Sequence, residues 1–419
     1  MSKYRINGGK PLSGNIKISG SKNATFPLIA ACLLTDEKCV LTNVPQIKDS
    51  QLMLEIISEL GVDVNSSGGR VEIQAQGLRR DDPKPDLVSK FRGSIVLVGA
   101  LLGRLLSAKI PYPGGDKIGA RSIDAHVEAF KALGASVTET DSLISFSVDK
   151  LTGSKIVLEE SSVTATENVL LAAVLAAGTT TIKLAAMEPH IQQLCEFLNK
   201  MGAKISGIGS PTLTVFGVDE LHGAKIDIIP DSEEAASMIT LAAAAKGKLK
   251  ITDLNPDFLE DYLLRLKKMN VNFKVGPDFV QVLPPSGEYV GTKLQSGLYP
   301  KLNSDFVPPM AVLATQAKGE TLIYEWLYED RLAYVAELMN MGAKAEVLDS
   351  HQVRIIGPTP LYGQKKITSY DLRMGMTLVI AALVAKGQSE IEGIEHIDRG
   401  YANLEERLSK IGADIKRID

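Results

Sequence analysis

The sequence predicts an α/β protein of two domains, each assembled from three copies of a βαβαββ unit. Three observations predict it: the length, a helix-ending phrase that recurs six times, and a polar residue that recurs at the start of a second helix in each repeat. At 419 residues the chain is longer than one core normally organises, so domains of about 200 residues follow.

The first phrase reads as a helix, then Leu, Met or Ile, then Gly, then a short alternating strand. It occurs as ELGVDV ending at Val64, ALGASV at Val137, KMGAKI at Ile205, KMNVNF at Phe273, NMGAKA at Ala345 and KIGADI at Ile415, at intervals of about 70 residues. Glycine here stops a helix and reverses the chain. In the fourth copy Asn270 takes its place, the other residue that tolerates a left-handed backbone.

A second phrase is a Gly turn, a strand and a polar helix start, as in LSGNIKISGSKN, LTGSKIVLEESSVTATE, LHGAKIDIIPDSEEAA and LYGQKKITSYDLRMG. Ala-rich helix ends and β-branched strands follow, as in AAVLAAGTTTIKLA. Residues 1–21 carry a strand position that the last units lack, so the N-terminal strand is expected in the second domain. The domains are then residues 22–229, and residues 1–21 with 230–419.

The helix starts hold Lys22, Arg92, Ser162, Asp231, Asp305 and Arg373. Threefold-like domains would bring them towards one interdomain cleft, and cations at helix N-termini oppose the dipole unless an anion relieves them. For Ser162 and Asp231 ordinary capping is the competing explanation.

Composition narrows the function classes. An apolar content of 45% with 36 Gly and 19 Pro suits a globular chain with many turns, and a net charge of −4 supplies no global attraction to nucleic acid or an acidic membrane. No basic stripe alternates with aromatics, of which there are 10 Phe, 11 Tyr and one Trp, so RNA binding is not expected. The polar start MSKYRINGGKPLSG and the absence of a run of about 20 apolar residues predict a cytoplasmic protein with no membrane partner. Cys32, Cys39 and Cys195 lie in or beside apolar runs and are expected to be reduced.

The segment Pro111–His126, PYPGGDKIGARSIDAH, reads as a lid over residues 111–121, with an ordinary surface turn as the alternative that its composition alone leaves open. Gly114, Gly115 and Gly119 remove side chains where backbone must fold over a ligand, and Asp116, Lys117 and Arg121 bring charge to it. His126 reads equally as a packing or capping residue and as a ligand contact.

At GSKNATFPL, PGGDKIGARSIDAH, EDRLAYVAEL and HIDRGYANLEERL the chain resembles, over essentially its whole length, the UDP-N-acetylglucosamine enolpyruvyl transferases and more remotely enolpyruvylshikimate-phosphate synthase. The resemblance implies two inverse α/β prism domains. It also implies transfer of an enolpyruvyl group from phosphoenolpyruvate to the 3-hydroxyl of UDP-N-acetylglucosamine with release of phosphate, the first committed step of peptidoglycan synthesis. No metal or organic cofactor is implied, the partners are the two small substrates, and a homo-oligomer is allowed. Residue by residue, Lys22, Arg121 and Arg399 match the phosphate-holding cations. Arg331 and Arg373 match those facing the carboxylate, with Arg92 also on the phosphoenolpyruvate side. Asn23, Arg92, Arg121, Ser122, Ile123, Asp124, Ser162, Val163, Thr164, Asp305 and Leu327 match the UDP-sugar contacts. Asp305 in YPKLNSD stands where the family has a base near the sugar hydroxyl, and Lys22 and Arg399 complete the catalytic set with Asp116.

Asp116 occupies the lid position that is usually cysteine, as in a subset of the family. The resemblance then implies a protonated carboxyl as general acid, with its pKa raised in a desolvated site, and no thiol for fosfomycin to alkylate. Other departures fall on the nucleotide-sugar side: Ser122 for proline, Thr164 for glycine, Ser232 for arginine after Asp231, Leu302, Asn303 and Ser304 before the base, and Glu160 for a commonly basic residue. They leave open a paralogue with a different nucleotide-sugar or nucleoside acceptor, and a weakly catalytic UDP-sugar-binding regulator.

Overall fold

The structure, a computed structural model, describes residues 2–112, 114 and 122–418. These form two compact units, residues 2–19 with 230–418 and residues 20–112, 114 and 122–229.

The unit of residues 20–229 holds three sheets. Lys225–Asp227 pairs parallel with Cys39–Thr42, which pairs antiparallel with Arg70–Gln74, itself antiparallel to Asp63–Ser67. Lys155–Val157, Thr179–Lys183, Thr212–Phe216 and Lys204–Ser206 repeat that order and those directions. The third sheet has three strands among the described residues, Ser107–Pro111, Leu143–Ser147 and Ser136–Glu139, so it departs from the four-stranded unit read in the sequence. Where a parallel edge strand would run, Pro83 and Pro85 withhold N–H donors, and one backbone bond from Lys109 N–H to the Asp81 carbonyl, 2.7 Å, remains.

The second unit holds three four-stranded sheets of the same order. Ser13–Lys17 supplies the parallel edge beside Lys248–Thr252, Lys293–Gln295 does so beside Gly319–Tyr324, and Ile367–Thr368 beside Gln388–Glu392. Lys3–Asn7 fills the third position of the last sheet, antiparallel to both Gln388–Glu392 and Asp414–Ile418.

Two kinds of helix lie between the strands, and their sequences explain the difference. Ser232–Ala244, Val307–Thr315 and Leu372–Val384 pack against one another, as do Lys22–Ala31, Leu97–Leu105 and Val163–Ala173 in the other unit. In Leu372–Val384 every residue from Leu372 to Leu383 is buried; a helix apolar all round is stable only when enclosed. Truncating Leu378, fully buried there, to Ala is expected to cost about 2–5 kcal/mol. Outer helices such as Pro189–Lys200 are instead amphipathic, burying Ile191, Leu194, Cys195, Phe197 and Leu198. They end on a left-handed residue, with φ +99° at Gly134 and +63° at Asn270, the asparagine making the same turn as the glycine of the other repeats. Each unit closes on its own continuous apolar core. No helix among the described residues is long and apolar enough to cross a membrane.

Candidate functional site

The six polar positions read as helix starts all stand at one. Lys22 opens Lys22–Ala31 and Arg92 opens the 3-10 turn Arg92–Val96 that runs into Leu97–Leu105. Ser162 caps Val163–Ala173 and Asp231 caps Ser232–Ala244, their oxygens accepting from Ala165 N–H at 3.4 Å and Glu234 N–H at 2.7 Å. Asp305 lies in the 3-10 turn Ser304–Phe306 before Val307–Thr315, and Arg373 is the second residue of Leu372–Val384. Because central helices of one unit pack together, their starts gather.

In the unit of residues 230–418 that gathering makes a charged cluster. Arg373 Nε–H donates to Asp305 Oδ2 at 2.7 Å, and the Arg331 guanidinium pairs with the other carboxylate oxygen. Arg373 Nη1 also donates to the Tyr401 hydroxyl at 3.2 Å, and that hydroxyl meets Ser237 Oγ at 3.1 Å. The Arg373 backbone is fixed independently, since Asp371 caps the helix by accepting from Arg373 N–H at 2.8 Å and Met374 N–H at 2.9 Å. Both guanidinium groups are buried, and although burial disfavours their charge, Asp305 above all holds them protonated. Arg331 Nε–H is buried without an acceptor among the described residues, a donor whose desolvation is left unmatched. Beside this cluster Glu233 is buried; burial first and then the Asp231 charge raise its pKa to about 8, against the pull of Arg373. Arg399 follows the short helix Ile394–Ile397, its N–H donating to the His396 carbonyl at 3.3 Å, and Leu327, exposed, donates its N–H to Glu325 Oε1 at 2.9 Å.

In the other unit Lys22 Nζ lies 3.8 Å from Asp49 Oδ2 and 5.2 Å from the Phe26 ring centroid, with Asn23 next to it on the first turn. Arg92 Nη2 donates to the Ser122 carbonyl at 3.0 Å. The Ser122 hydroxyl accepts from Asp124 N–H at 2.9 Å, setting the turn in which Ile123 is buried before the helix Asp124–Ala132. Val163 and Thr164 are half-buried at the start of their helix, and Glu160 is exposed before it. Asp116 and Arg121 lie outside the described residues.

The structure adds residues that the sequence did not single out. Tyr401, Ser237 and Glu233 support Arg373, Asp49 pairs with Lys22, and Asn168 holds His126. Tyr401 sits inside the HIDRGYANLEERL segment and Glu233 two places after Asp231, so proximity to chosen residues was their one sequence signal. Asp49 and Asn168 are 27 and 42 positions from their partners, a contact made by the tertiary fold. Among the described residues no group of three or more His, Cys, Asp or Glu is placed to hold a metal ion.

Two α/β units, one of which gathers buried arginines around a carboxylate, have the architecture of an enolpyruvyl-transferase-like protein. The matching family model is that of EPSP synthase (3-phosphoshikimate 1-carboxyvinyltransferase), over residues 6–408. The chain is 42% identical over 425 residues to the UDP-N-acetylglucosamine 1-carboxyvinyltransferase of Treponema denticola, covering 99% of each, and 40% identical to that of Bradyrhizobium diazoefficiens, covering 99% of this chain and 98% of the other. The crystal structure of the enolpyruvyl transferase NikO from Streptomyces tendae superposes with a TM-score of 0.90 at 26% identity, covering 100% and 99%. EPSP synthase from Acinetobacter baumannii shares the fold, with a TM-score of 0.79 at 18% identity over the full length of both. The chain belongs to the UDP-N-acetylglucosamine 1-carboxyvinyltransferase family.

Proposed function

We infer that this protein moves the enolpyruvyl group of phosphoenolpyruvate onto the 3-hydroxyl of UDP-N-acetylglucosamine, releasing phosphate, the first committed step of peptidoglycan synthesis. The observation that carries this is the Arg331–Asp305–Arg373 cluster in a chain 42% identical over nearly its whole length to a relative named for that activity. Arg331 and Arg373 take the carboxylate of phosphoenolpyruvate, the unmatched Arg331 Nε–H among their donors. Lys22, Arg121 and Arg399 take the phosphate, with Arg92 beside them. Asn23, Ser122–Asp124, Ser162–Thr164 and Leu327 line the nucleotide sugar.

Chemically, Asp305 accepts the proton of the sugar hydroxyl as that oxygen attacks C2, and Asp116 gives a proton to the methylene carbon. A carboxylate is a weak base towards an alcohol, so the two transfers must be concerted with development of cationic character at C2. Fixed guanidinium groups stabilise the anionic adduct without reorganising; loss of one proton from its new methyl carbon then re-forms the C2–C3 double bond, breaks the C2–O bond to phosphate and leaves the enolpyruvyl ether. The domains are taken as residues 22–229 and residues 1–21 with 230–419, bounds that differ from those of the two compact units by the placement of Gly20 and Ser21. Each is an inverse α/β prism with a pseudo-threefold arrangement, a reading supported by three sheets of recurring order around three mutually packed helices.

The test is phosphate release from phosphoenolpyruvate with a panel of UDP-sugars and with 3-phosphoshikimate. Release dependent on UDP-N-acetylglucosamine is expected. Release with another nucleotide sugar alone would replace the acceptor, a second reading favoured by the Thr164 hydroxyl and by Glu160 and Ser232 in the nucleotide-side segments. No release with any acceptor would overturn the assignment.

A further inference from the structure

His126 sits at the centre of a hydrogen-bond chain whose proton directions can be read one bond at a time. Asn168 Oδ1 accepts from Gly99 N–H at 2.7 Å, and Asn168 Nδ2 donates to the Ile95 carbonyl at 3.0 Å. These two backbone partners leave the amide a single orientation. Its second Nδ2 proton therefore points at His126 Nδ1, 2.9 Å away, and Nδ1 must be the acceptor. The imidazole is neutral, because burial, and then the Arg92 charge, depress its pKa to about 3. A neutral ring that accepts at Nδ1 carries its proton on Nε2, and Nε2 meets Thr164 Oγ1 at 3.2 Å. The Thr164 oxygen is thus an acceptor towards His126, and its own proton is turned away from the ring. Among the described residues that proton donates to no acceptor.

We propose that His126 and Asn168 are positioning residues that make the Thr164 hydroxyl a hydrogen-bond donor to a diphosphate oxygen of the nucleotide sugar. The choice of ligand atom follows from charge and chemistry. Arg92, whose field reaches His126 and whose guanidinium holds the Ser122 carbonyl, makes this neighbourhood cationic. A phosphate oxygen only accepts, so a hydroxyl locked as a donor discriminates for it, whereas a freely rotating one would also serve donor groups. The ligand class rests on the reading given under Proposed function; the direction of the chain does not. It also gives a physical consequence to threonine at a position where the family usually has glycine: the hydroxyl supplies a side-chain donor that glycine lacks.

The experiment uses the full chain and UDP as probe, measured by calorimetry, with 15N-histidine NMR as the structural readout. In the unmodified protein His126, identified among five histidines by its absence in His126→Gln, should show a bare Nδ1 and a protonated Nε2. Thr164→Val should weaken UDP about tenfold, the loss of one hydrogen bond to a charged acceptor, with KM for phosphoenolpyruvate unchanged, and Thr164→Ser should restore affinity. Asn168→Asp, when ionised, offers only acceptors to the ring, so at a pH where the 15N shifts show a neutral ring Nδ1 should carry the proton, Nε2 should accept from Thr164, and UDP should weaken as in Thr164→Val although the hydroxyl remains.

A protonated Nδ1 in the unmodified protein, UDP affinity in Thr164→Val within about twofold of the original, or weakening confined to UDP-N-acetylglucosamine with UDP unaffected would each overturn the proposal. Should Asn168→Asp fail to give a cooperative thermal transition, the Thr164 pair and the tautomer decide alone. UDP binding without phosphate release would refute the enzymatic reading and leave this one standing.

Discussion

Arg373 holds Asp305 by an Nε–H to Oδ2 bond of 2.7 Å, while Arg331 occupies the other oxygen. The carboxylate thereby orders two buried guanidinium groups. Removing it does two separable things. Asp305→Ala takes from both cations their main carboxylate partner and should lower stability by about 3 kcal/mol, read as a shifted urea midpoint. Asp305→Asn keeps the shape and should lose less stability, yet it cannot take a proton. Phosphate release should fall by about 100-fold or more in both variants.

Arg373→Lys separates the planar fork from its charge. A single ammonium cannot reproduce both the bond to Asp305 and the one to the Tyr401 hydroxyl at 3.2 Å. The backbone is unaffected because Asp371 caps the helix through main-chain N–H groups. KM for phosphoenolpyruvate should rise about tenfold with UDP affinity unchanged, since an oxyanion loses a two-point grip and keeps the charge.

Two buried groups give stability opposite slopes against pH. Glu233, raised from 4.5 to about 8, keeps its proton in the folded state after the unfolded chain has lost it. Its contribution is complete below pH 4.5 and lost as pH rises to about 8, through burial and the charges of Asp231 and Asp305, partly offset by Arg373. His126, lowered from 6.5 to about 3, stays neutral when the unfolded chain takes up a proton, so its contribution is present above pH 6.5 and lost as pH falls towards 3. Each slope approaches about 1.4 kcal/mol per pH unit inside its window. Denaturation series should show Glu233→Gln flattening the fall between 4.5 and 8, and His126→Gln flattening the rise between 3 and 6.5. Unchanged slopes in both variants would place the titrating groups elsewhere.

What the residues disclosed in advance was what a single residue type can encode. A glycine at a helix end marks a left-handed turn by itself, and the replacement of glycine by Asn270 was readable because few other residues tolerate φ of +63°. Polar residues spaced about 70 apart at helix starts were readable for the same reason. Periodicity gave no sign that the sheet containing Ser107–Pro111 would lack its parallel edge among the described residues, because the prolines at 83 and 85 act through missing N–H groups rather than through hydrophobic pattern. Nor could it show Glu233 and Tyr401 beneath Arg373, or Asn168 against His126, because those contacts exist only once separate helices pack. The resemblance supplied Arg331 and Arg399, which no spacing argument would have chosen over other arginines.

Asp116 can be tested without geometry, by exchanging one acid for another. A carboxylate is a poor nucleophile towards an epoxide, whereas a thiol attacks it through its thiolate, opening the ring, and that thiolate is present in growing amounts as pH approaches about 8.5. Incubation with fosfomycin and UDP-N-acetylglucosamine should leave the mass of the unmodified protein unchanged and add one inhibitor to Asp116→Cys. If Asp116 gives the proton to the methylene carbon, Asp116→Ala should lose about 100-fold or more in phosphate release, the usual size of a general-acid contribution. Asp116→Cys should retain turnover, and its alkaline limb should move to the thiol's range. Turnover of Asp116→Ala at the original rate would remove Asp116 from the chemistry, because no second acid can substitute for a proton donor without a change in the pH profile.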